Sequence, residues 1–345
     1  MTRTFRRIIF YSLVFLFVVV TPPTILYATG YSFDWTNKQL TQTGGLYLKS
    51  APDQAVIFID DKKQKTTPRL ISHLKPKTYA VAITKDGFYP WRKNLEVAAS
   101  LVTEARNIIL FPQKIEPVKI IDNATSTIEK YLESTRATPT PAPQITVRAV
   151  GQTIKDSDIF YISAENFILY RQDLSGFVKE QLSKEGLPKA SYDILVSNNG
   201  RILALSGSEN LYLLNKDSGV FELTSAGVKE AAFSSDNKKI LIRSANELWI
   251  FYLEDILIQP YKKMGDKELL TRYAQPINQA VFYPNNEYVA LVIGDQIKII
   301  ELDGRDTRNI VDFISAPKPQ VYFDEPNSYF YYLTAGQIWR IKLEM

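Results

Sequence analysis

Ala232-Phe233-Ser234-Ser235-Asp236-Asn237-Lys238-Lys239-Ile240-Leu241-Ile242, followed after a polar break by Asn246-Glu247-Leu248-Trp249-Ile250-Phe251, is the stretch that decides the fold. It reads as strand, Asn/Asp turn, strand, break, strand. The pattern recurs. Residues 195–205 lead to 209–214, 281–291 to 295–300, and 321–331 to 336–341. A fainter copy sits at 159–162 and 166–170. The anchors Val196, Phe233, Phe282 and Phe323 are 37, 49 and 41 residues apart. A β period near 40 residues means propeller blades. A single blade cannot bury both of its faces, so blades stack radially and leave only short edges. Residues 145–345 hold 201 positions, and five visible copies give about 40 each. The expectation is a β-propeller over 145–345 with about five blades. The chain stops just after a third strand, so a segment near 145–150 is expected to add the outer strand that closes the ring. The 49-residue gap carries an insertion at 254–275 with Lys262, Lys263, Lys267 and Arg272. It is expected to be a solvated loop or a contact site, with Lys262 and Lys263 as candidate contact residues.

Upstream, residues 113–144 read as a linker. Ala137-Thr138-Pro139-Thr140-Pro141-Ala142-Pro143 favours extended polyproline conformations. Ser126-x-x-Glu129 could cap a short helix before it. Residues 43–112 read as a small β-sandwich. Short strands at 46–49, 55–59, 79–83, 95–97 and 106–111 alternate with turn residues, among them Asp60-Asp61 and Asp86-Gly87.

The order of landmarks in this segment carries a resemblance. Gly45-x-Leu-x-x-x-Ser is followed by Pro52-Asp53-Gln54-Ala55 and a strand with an acidic turn. Thr67-Pro68, Leu74-Lys75-Pro76, Tyr79-x-Val-x-Ile and Lys85-Asp86-Gly87-Phe88 follow. The segment resembles a PEGA domain, named for a Pro-Glu-Gly-Ala tetrapeptide and found on bacterial and archaeal surface proteins. Here the tetrapeptide keeps Pro52 and Ala55 but reads Asp53-Gln54 in the middle, so Gln54 must make a turn where the family uses Gly. The resemblance implies a non-enzymatic, extracytoplasmic sandwich and brings no catalytic residues. In the repeats, residues 233–240 resemble the Phe-Ser-Pro-Asp-Gly-Lys-x-Ile pattern of WD-like repeats, as in the TolB-like propeller of the Tol envelope system.

The first 30 residues complete the plan: a short basic tip and then an apolar span. No charged residue occurs between Ile8 and Phe33. Residues 8–28 number 21; as a helix they would reach roughly 31 Å, the thickness of a bilayer's hydrocarbon core. Arg3, Arg6 and Arg7 precede the span and the first cation after it is Lys38. The positive-inside rule then puts the N-terminus in the cytoplasm and the bulk outside. Tyr27, Tyr31 and Trp35 are placed to form an interfacial aromatic belt. A cleaved signal peptide is the competing reading. Leu26 and Tyr27 ahead of Ala28 leave no small residue at both positions a cut site needs, which favours an uncleaved anchor.

Composition narrows the chemistry. Lys and Arg total 41 against 37 Asp and Glu, a net charge of +4, too weak and mixed for a nucleic-acid partner. With no cysteine, thiolate nucleophiles, disulfides and iron–sulfur clusters are excluded. His73 is the one histidine and is expected to be structural. No phosphate loop or dinucleotide fingerprint occurs, so no cofactor and no metal are expected. Asp60-Asp61 and Asp156-x-Asp158 are paired carboxylates, but both fall in turns, where Asp is common for backbone reasons. The run 329–332 with Trp249 and Trp339 reads as blade core, while Tyr89 and Trp91 are candidate exposed anchors for a partner. The fold class expected is therefore all-β. It comprises an N-terminal transmembrane helix (1–30), a PEGA-like sandwich (43–112), a Pro-rich linker (113–144) and a C-terminal propeller. The expected role is a membrane-anchored, extracytoplasmic, non-catalytic binding or scaffold protein of the cell envelope, whose partners are the bilayer and an envelope protein or glycan. The alternative is a propeller-based envelope enzyme acting on surface glycan or peptide.

Overall fold

The computed structural model describes residues 3–34, 38–122, 149–174, 178–324 and 329–343. Two compact units result, one built on residues up to Lys114 and the other starting at Ile115. The capping box and Pro-rich run of the linker, and Trp35, lie outside the described residues.

The first unit opens with α1 (Arg3–Ala28), in which no residue is buried. Its apolar side chains point outward on every face, which suits lipid rather than water. It is the one helix among the described residues long and apolar enough to cross a membrane. Pro22 and Pro23 lie inside it, where Thr24 Oγ1 donates to the Val20 carbonyl at 2.8 Å. Gly30, at φ +86°, ends the helix in the left-handed conformation that a C-terminal cap needs.

A hairpin, β1 (Tyr31–Asp34) and β2 (Gln39–Gln42), follows. Seven strands then form two sheets: β3 (Gly44–Ala51), β4 (Val56–Ile59), β5 (Lys62–Thr66), β6 (Arg69–Leu74), β7 (Lys77–Thr84), β8 (Trp91–Val97) and β9 (Val102–Ile109). One sheet runs β6-β3-β9, with β3 and β9 parallel; the other runs β5-β4-β7-β8. Leu46, Leu48, Ile57, Val81, Ile83, Trp91, Leu95 and Ile108 fill the space between them. This is the expected sandwich with two additional strands. β5 had the sequence of a charged turn, and all five of its residues are exposed. Charged side chains are the usual protection of an edge strand.

The second unit contains β10 (Val118–Ile121) and then five successive groups of strands. The first blade is β11 (Ala149–Lys155), β12 (Asp158–Ser163), β13 (Leu169–Asp173) and β14 (Lys179–Gln181). The second is β15 (Tyr192–Val196), β16 (Ile202–Ser206), β17 (Asn210–Asn215) and β18 (Val220–Ala226). The third is β19 (Glu230–Phe233), β20 (Lys239–Arg243), β21 (Glu247–Tyr252) and β22 (Lys267–Arg272). The fourth is β23 (Ile277–Phe282), β24 (Tyr288–Ile293), β25 (Gln296–Glu301) and β26 (Ile310–Ser315). The fifth has three consecutive strands, β27 (Gln320–Asp324), β28 (Tyr329–Thr334) and β29 (Gln337–Lys342). Its fourth, outer strand is β10, antiparallel to β29.

The chain thus forms a five-bladed β-propeller in which a strand from before the first blade completes the last. Two expectations need correction. The closing strand comes from 118–121, inside the stretch read as linker, and not from 145–150. Ala149 and Val150 instead begin the inner strand of the first blade. The insertion 254–275 is a loop only to residue 266, because Lys267–Arg272 form β22. There Lys267 lies 5.2 Å over the Trp249 ring and Arg272 pairs with Glu247, so both cations serve as blade packing.

Successive blades pack through shared cores. Phe160, Ile162, Tyr192 and Ile194 join the first to the second. Gly151 allows this approach, since a Cβ there would lie 2.2 Å from the Tyr192 carbonyl oxygen. Leu203, Leu211, Ile240 and Ile242 join the second to the third, and Leu241, Ile250, Ile277 and Leu291 the third to the fourth. Tyr283 meets Phe323 edge-on at 5.0 Å between the fourth and fifth. Of the aromatic run, Phe330, Tyr331 and Tyr332 are buried.

The Asn/Asp turns do more than reverse the chain. Gly200, Asn237 and Asn286 occupy one turn position in three blades, at φ +74°, +58° and +57°. The Asn237 carboxamide oxygen accepts the Asn198 backbone N–H of the preceding blade at 3.0 Å. Asn286 accepts Ser235 N–H at 3.1 Å in the same way, and its Nδ2 donates to Ser235 Oγ at 2.8 Å. Each left-handed Asn is therefore also a clasp between neighbouring blades.

Candidate functional site

The sequence singled out four contact residues, and the structure separates them. Trp91 is 3% exposed in the sandwich core and is not available to a partner. β8 alternates strictly, with Trp91, Lys93, Leu95 and Val97 facing in; the strand period overrides the expectation from the preceding turn. Tyr89 is half-buried, its N–H bonded to the Phe111 carbonyl at 2.8 Å. Lys262 is half-buried against Glu268, at 2.7 Å. Lys263 is exposed.

Of the paired carboxylates Asp60, Asp61 and Asp156 lie in turns, whereas Asp158, expected in one, begins β12. Asp60 and Asp61 both have positive φ. Asp60 Oδ1 accepts the Ala80 N–H at 3.0 Å and Oδ2 pairs with Lys77 at 2.6 Å. The Lys77 hydrogen bond, then the Ala80 N–H, holds the Asp60 carboxyl below the usual range. Asp158 lies 3.6 Å from Arg171. His73 stacks on Tyr27 with ring centroids 4.2 Å apart, and its Nε2 is 3.1 Å from the Tyr27 carbonyl oxygen at the end of α1. Among the described residues no group of acidic and histidine side chains has the makings of a metal site.

A concavity that no sequence motif announced lies in the propeller. A cleft of about 660 Å³ is lined by ends of the inner strands of the third, fourth and fifth blades and the turns beside them. Lys229, Glu230 and Arg243 come from the third blade, Asn278, Gln279 and Asp295 from the fourth, and Lys318 and Gln320 from the segment entering the fifth. Arg243 Nε meets Glu230 at 2.8 Å and its Nη1 donates to the Ile277 carbonyl at 2.8 Å. Lys229 pairs with Glu209. Asp295 Oδ1 accepts the Lys318 N–H at 2.9 Å, and Asn278 Oδ1 accepts the Gly294 N–H at 3.1 Å. Gln279 clamps the Val321 backbone at both ends, each bond 2.8 Å. The wall is polar, preformed and of mixed charge. Its residues are scattered over nearly a hundred positions, and only blade stacking collects them.

Residues 43–108 match the family model described as PEGA domain. Among curated proteins none matches the chain. Among solved structures, the β-propeller domain of Cps50 (Swd1) from Myceliophteria thermophila is 13% identical, with a TM-score of 0.39. The alignment covers 54% of this chain and 66% of that one. A functionally unknown protein from Desulfotomaculum acetoxidans is 17% identical at a TM-score of 0.38, with 55% of this chain and 64% of that one covered. The chain thus spans just under two thirds of these two structures. Residues 43–108 are a PEGA domain, and a five-bladed β-propeller follows it in the same chain.

Proposed function

We propose that this chain is a membrane-anchored, extracytoplasmic scaffold of the cell envelope that works by binding and not by catalysis. The observation that carries the reading is the order of parts: α1, unburied and of spanning length, leads through a short hairpin into a PEGA domain. Arg3, Arg6 and Arg7 on its N-terminal side favour a cytoplasmic tip. The propeller then presents its cleft to an envelope protein or glycan. A polar wall of mixed charge, in which Arg243 pairs with Glu230 and Gln279 holds the Val321 backbone, supports recognition through hydrogen bonds.

The absence of native cysteine makes the test direct. Lys62→Cys, on the exposed edge strand β5, is treated in intact spheroplasts with a membrane-impermeant maleimide. The expected result is labelling without lysis, in protein that stays with membranes after carbonate washing. Labelling only after lysis would reverse the orientation. Release by carbonate would remove the anchor.

A further inference from the structure

The chain leaves the sandwich under firm hold. Phe111 is buried, Phe88 and Pro112 form a bridge, and the Gln113 N–H donates to the Gly87 carbonyl at 2.8 Å. After four more residues, Lys114-Ile115-Glu116-Pro117, β10 begins. The Pro-rich run therefore does not join the two units along the chain. It follows β10, within the 27 residues that separate Ile121 from Ala149. The joint is the four residues 114–117, and the pairing of β10 with β29 is what completes it.

That pairing is slight. Val118, Lys119 and Ile121 face Arg340, Trp339 and Ile338, with a break of register after Lys119. Six pairs join β29 to β28. Val118 and Lys119 are exposed. Ile121 supplies the apolar contact, against the cluster of Tyr331 and Ile338. Asp122 fastens the end: it pairs with Lys119 at 2.9 Å and accepts the Gln337 Nε2–H at 3.0 Å. β14 has as few pairs as β10 but is continuous with its own blade. β10 differs because the chain arriving from the sandwich enters the second unit through it.

We propose that β10 is a releasable strap: tension between α1 and a partner held by the propeller peels it from β29 before any blade opens. While the strap is paired, the chain from Gln113 to Val118 spans at most about 18 Å. Once it is off, the tether runs from Gln113 to Ala149 and reaches at most about 120 Å before the first blade is pulled. Release leaves β27, β28 and β29 paired with one another, so the edge stays formed and the strap re-forms when tension falls. The inference rests on the reading above, in which an anchored chain holds an envelope partner.

The test stretches the full chain in detergent micelles, in magnetic tweezers. DNA handles are joined to Lys62→Cys on β5 and Leu223→Cys on β18, both exposed positions in a chain without native cysteine. The first event expected is a reversible step at the lowest force. It frees residues 118–148, which number 31, or about 100 Å of contour. Deleting residues 130–139 should shorten that step by about a third and leave its force unchanged. Ile121→Gly should lower the force; if that variant does not fold, the deletion still decides. A first step whose length ignores the deletion means that the sandwich or a blade yields before β10, and overturns the strap. So does the absence of any step before the blades open. No bilayer takes part, so release of the protein by carbonate would remove the anchor and leave this result standing.

Discussion

Asn286 is the place where the repeat can be tested most sharply. Substitution by Ala removes the acceptor of Ser235 N–H and the donor to Ser235 Oγ. An orphaned, half-buried N–H costs about 1–3 kcal/mol. A side chain other than Asn, Asp or Gly at φ +57° adds about 1 kcal/mol. Together these give about 3 kcal/mol for Asn286→Ala. Asn286→Gly loses the same two hydrogen bonds but accepts the left-handed backbone, so it should recover about 1 kcal/mol of that loss. The measurement is urea unfolding of residues 115–345, followed by the fluorescence of Trp249 and Trp339 in the third and fifth blades. The order expected is wild type, then Gly, then Ala. If Ala falls within about 0.5 kcal/mol of wild type, the range of an ordinary surface substitution, the clasp between blades contributes nothing. If Gly is no better than Ala, the left-handed turn is not what selects asparagine.

Gln54 holds φ +62° where the PEGA family places Gly, so Gln54→Gly should stabilise the sandwich by about 1 kcal/mol in thermal unfolding. Trp91→Ala should cost about 3–5 kcal/mol as a core cavity; an unchanged melting temperature would return Trp91 to the surface. Glu247 is held below the usual carboxylate range by the Trp249 Nε1–H bond first and then by Arg272. Its folded value is depressed, so its contribution is complete above the unfolded value and is lost as pH falls through the folded one. In acid titrations of stability, Glu247→Gln should flatten that limb, and an unaltered limb would refute the assignment.

The inner three strands of each blade were legible because they bury a face and leave period-two and apolar runs in the sequence. The fourth strands were not. β14 is exposed at all three residues, and β18 and β26 carry polar residues along one open side. An outer strand needs pairing partners more than it needs a pattern, and Lys267 and Arg272 in β22 read as loop residues until Trp249 and Glu247 are seen beneath them. The turns were legible as turns, because Asn and Asp tolerate a left-handed backbone. Their second role needed the neighbouring blade. The cleft was invisible for a related reason: Lys229, Asn278 and Lys318 become neighbours only when blades stack.

β10 shows how a domain boundary can hide in four residues. Val118-Lys119-Ile120-Ile121 is an apolar run too short to classify, and it lies outside the period that identified the blades. Its partner decides what it is. Val118, Lys119 and Ile121 pair with Arg340, Trp339 and Ile338, and Ile121 packs on the small cluster around Tyr331 and Ile338. Without it β29 would present an open edge carrying a tryptophan, a template for pairing with other chains. Because β10 precedes the first blade in sequence, its pairing also ties the two ends of the repeat together, and the loss should be felt by all five blades. Replacing 118–121 with Gly-Ser-Gly-Ser removes about three backbone hydrogen bonds and the half-burial of Ile120 and Ile121, and should lower stability by about 2–4 kcal/mol. Hydrogen exchange in the first blade discriminates between closure and a local edge repair. Faster exchange in β12 as well as in β28 supports closure, whereas a change confined to the fifth blade reduces β10 to a cover for its own edge.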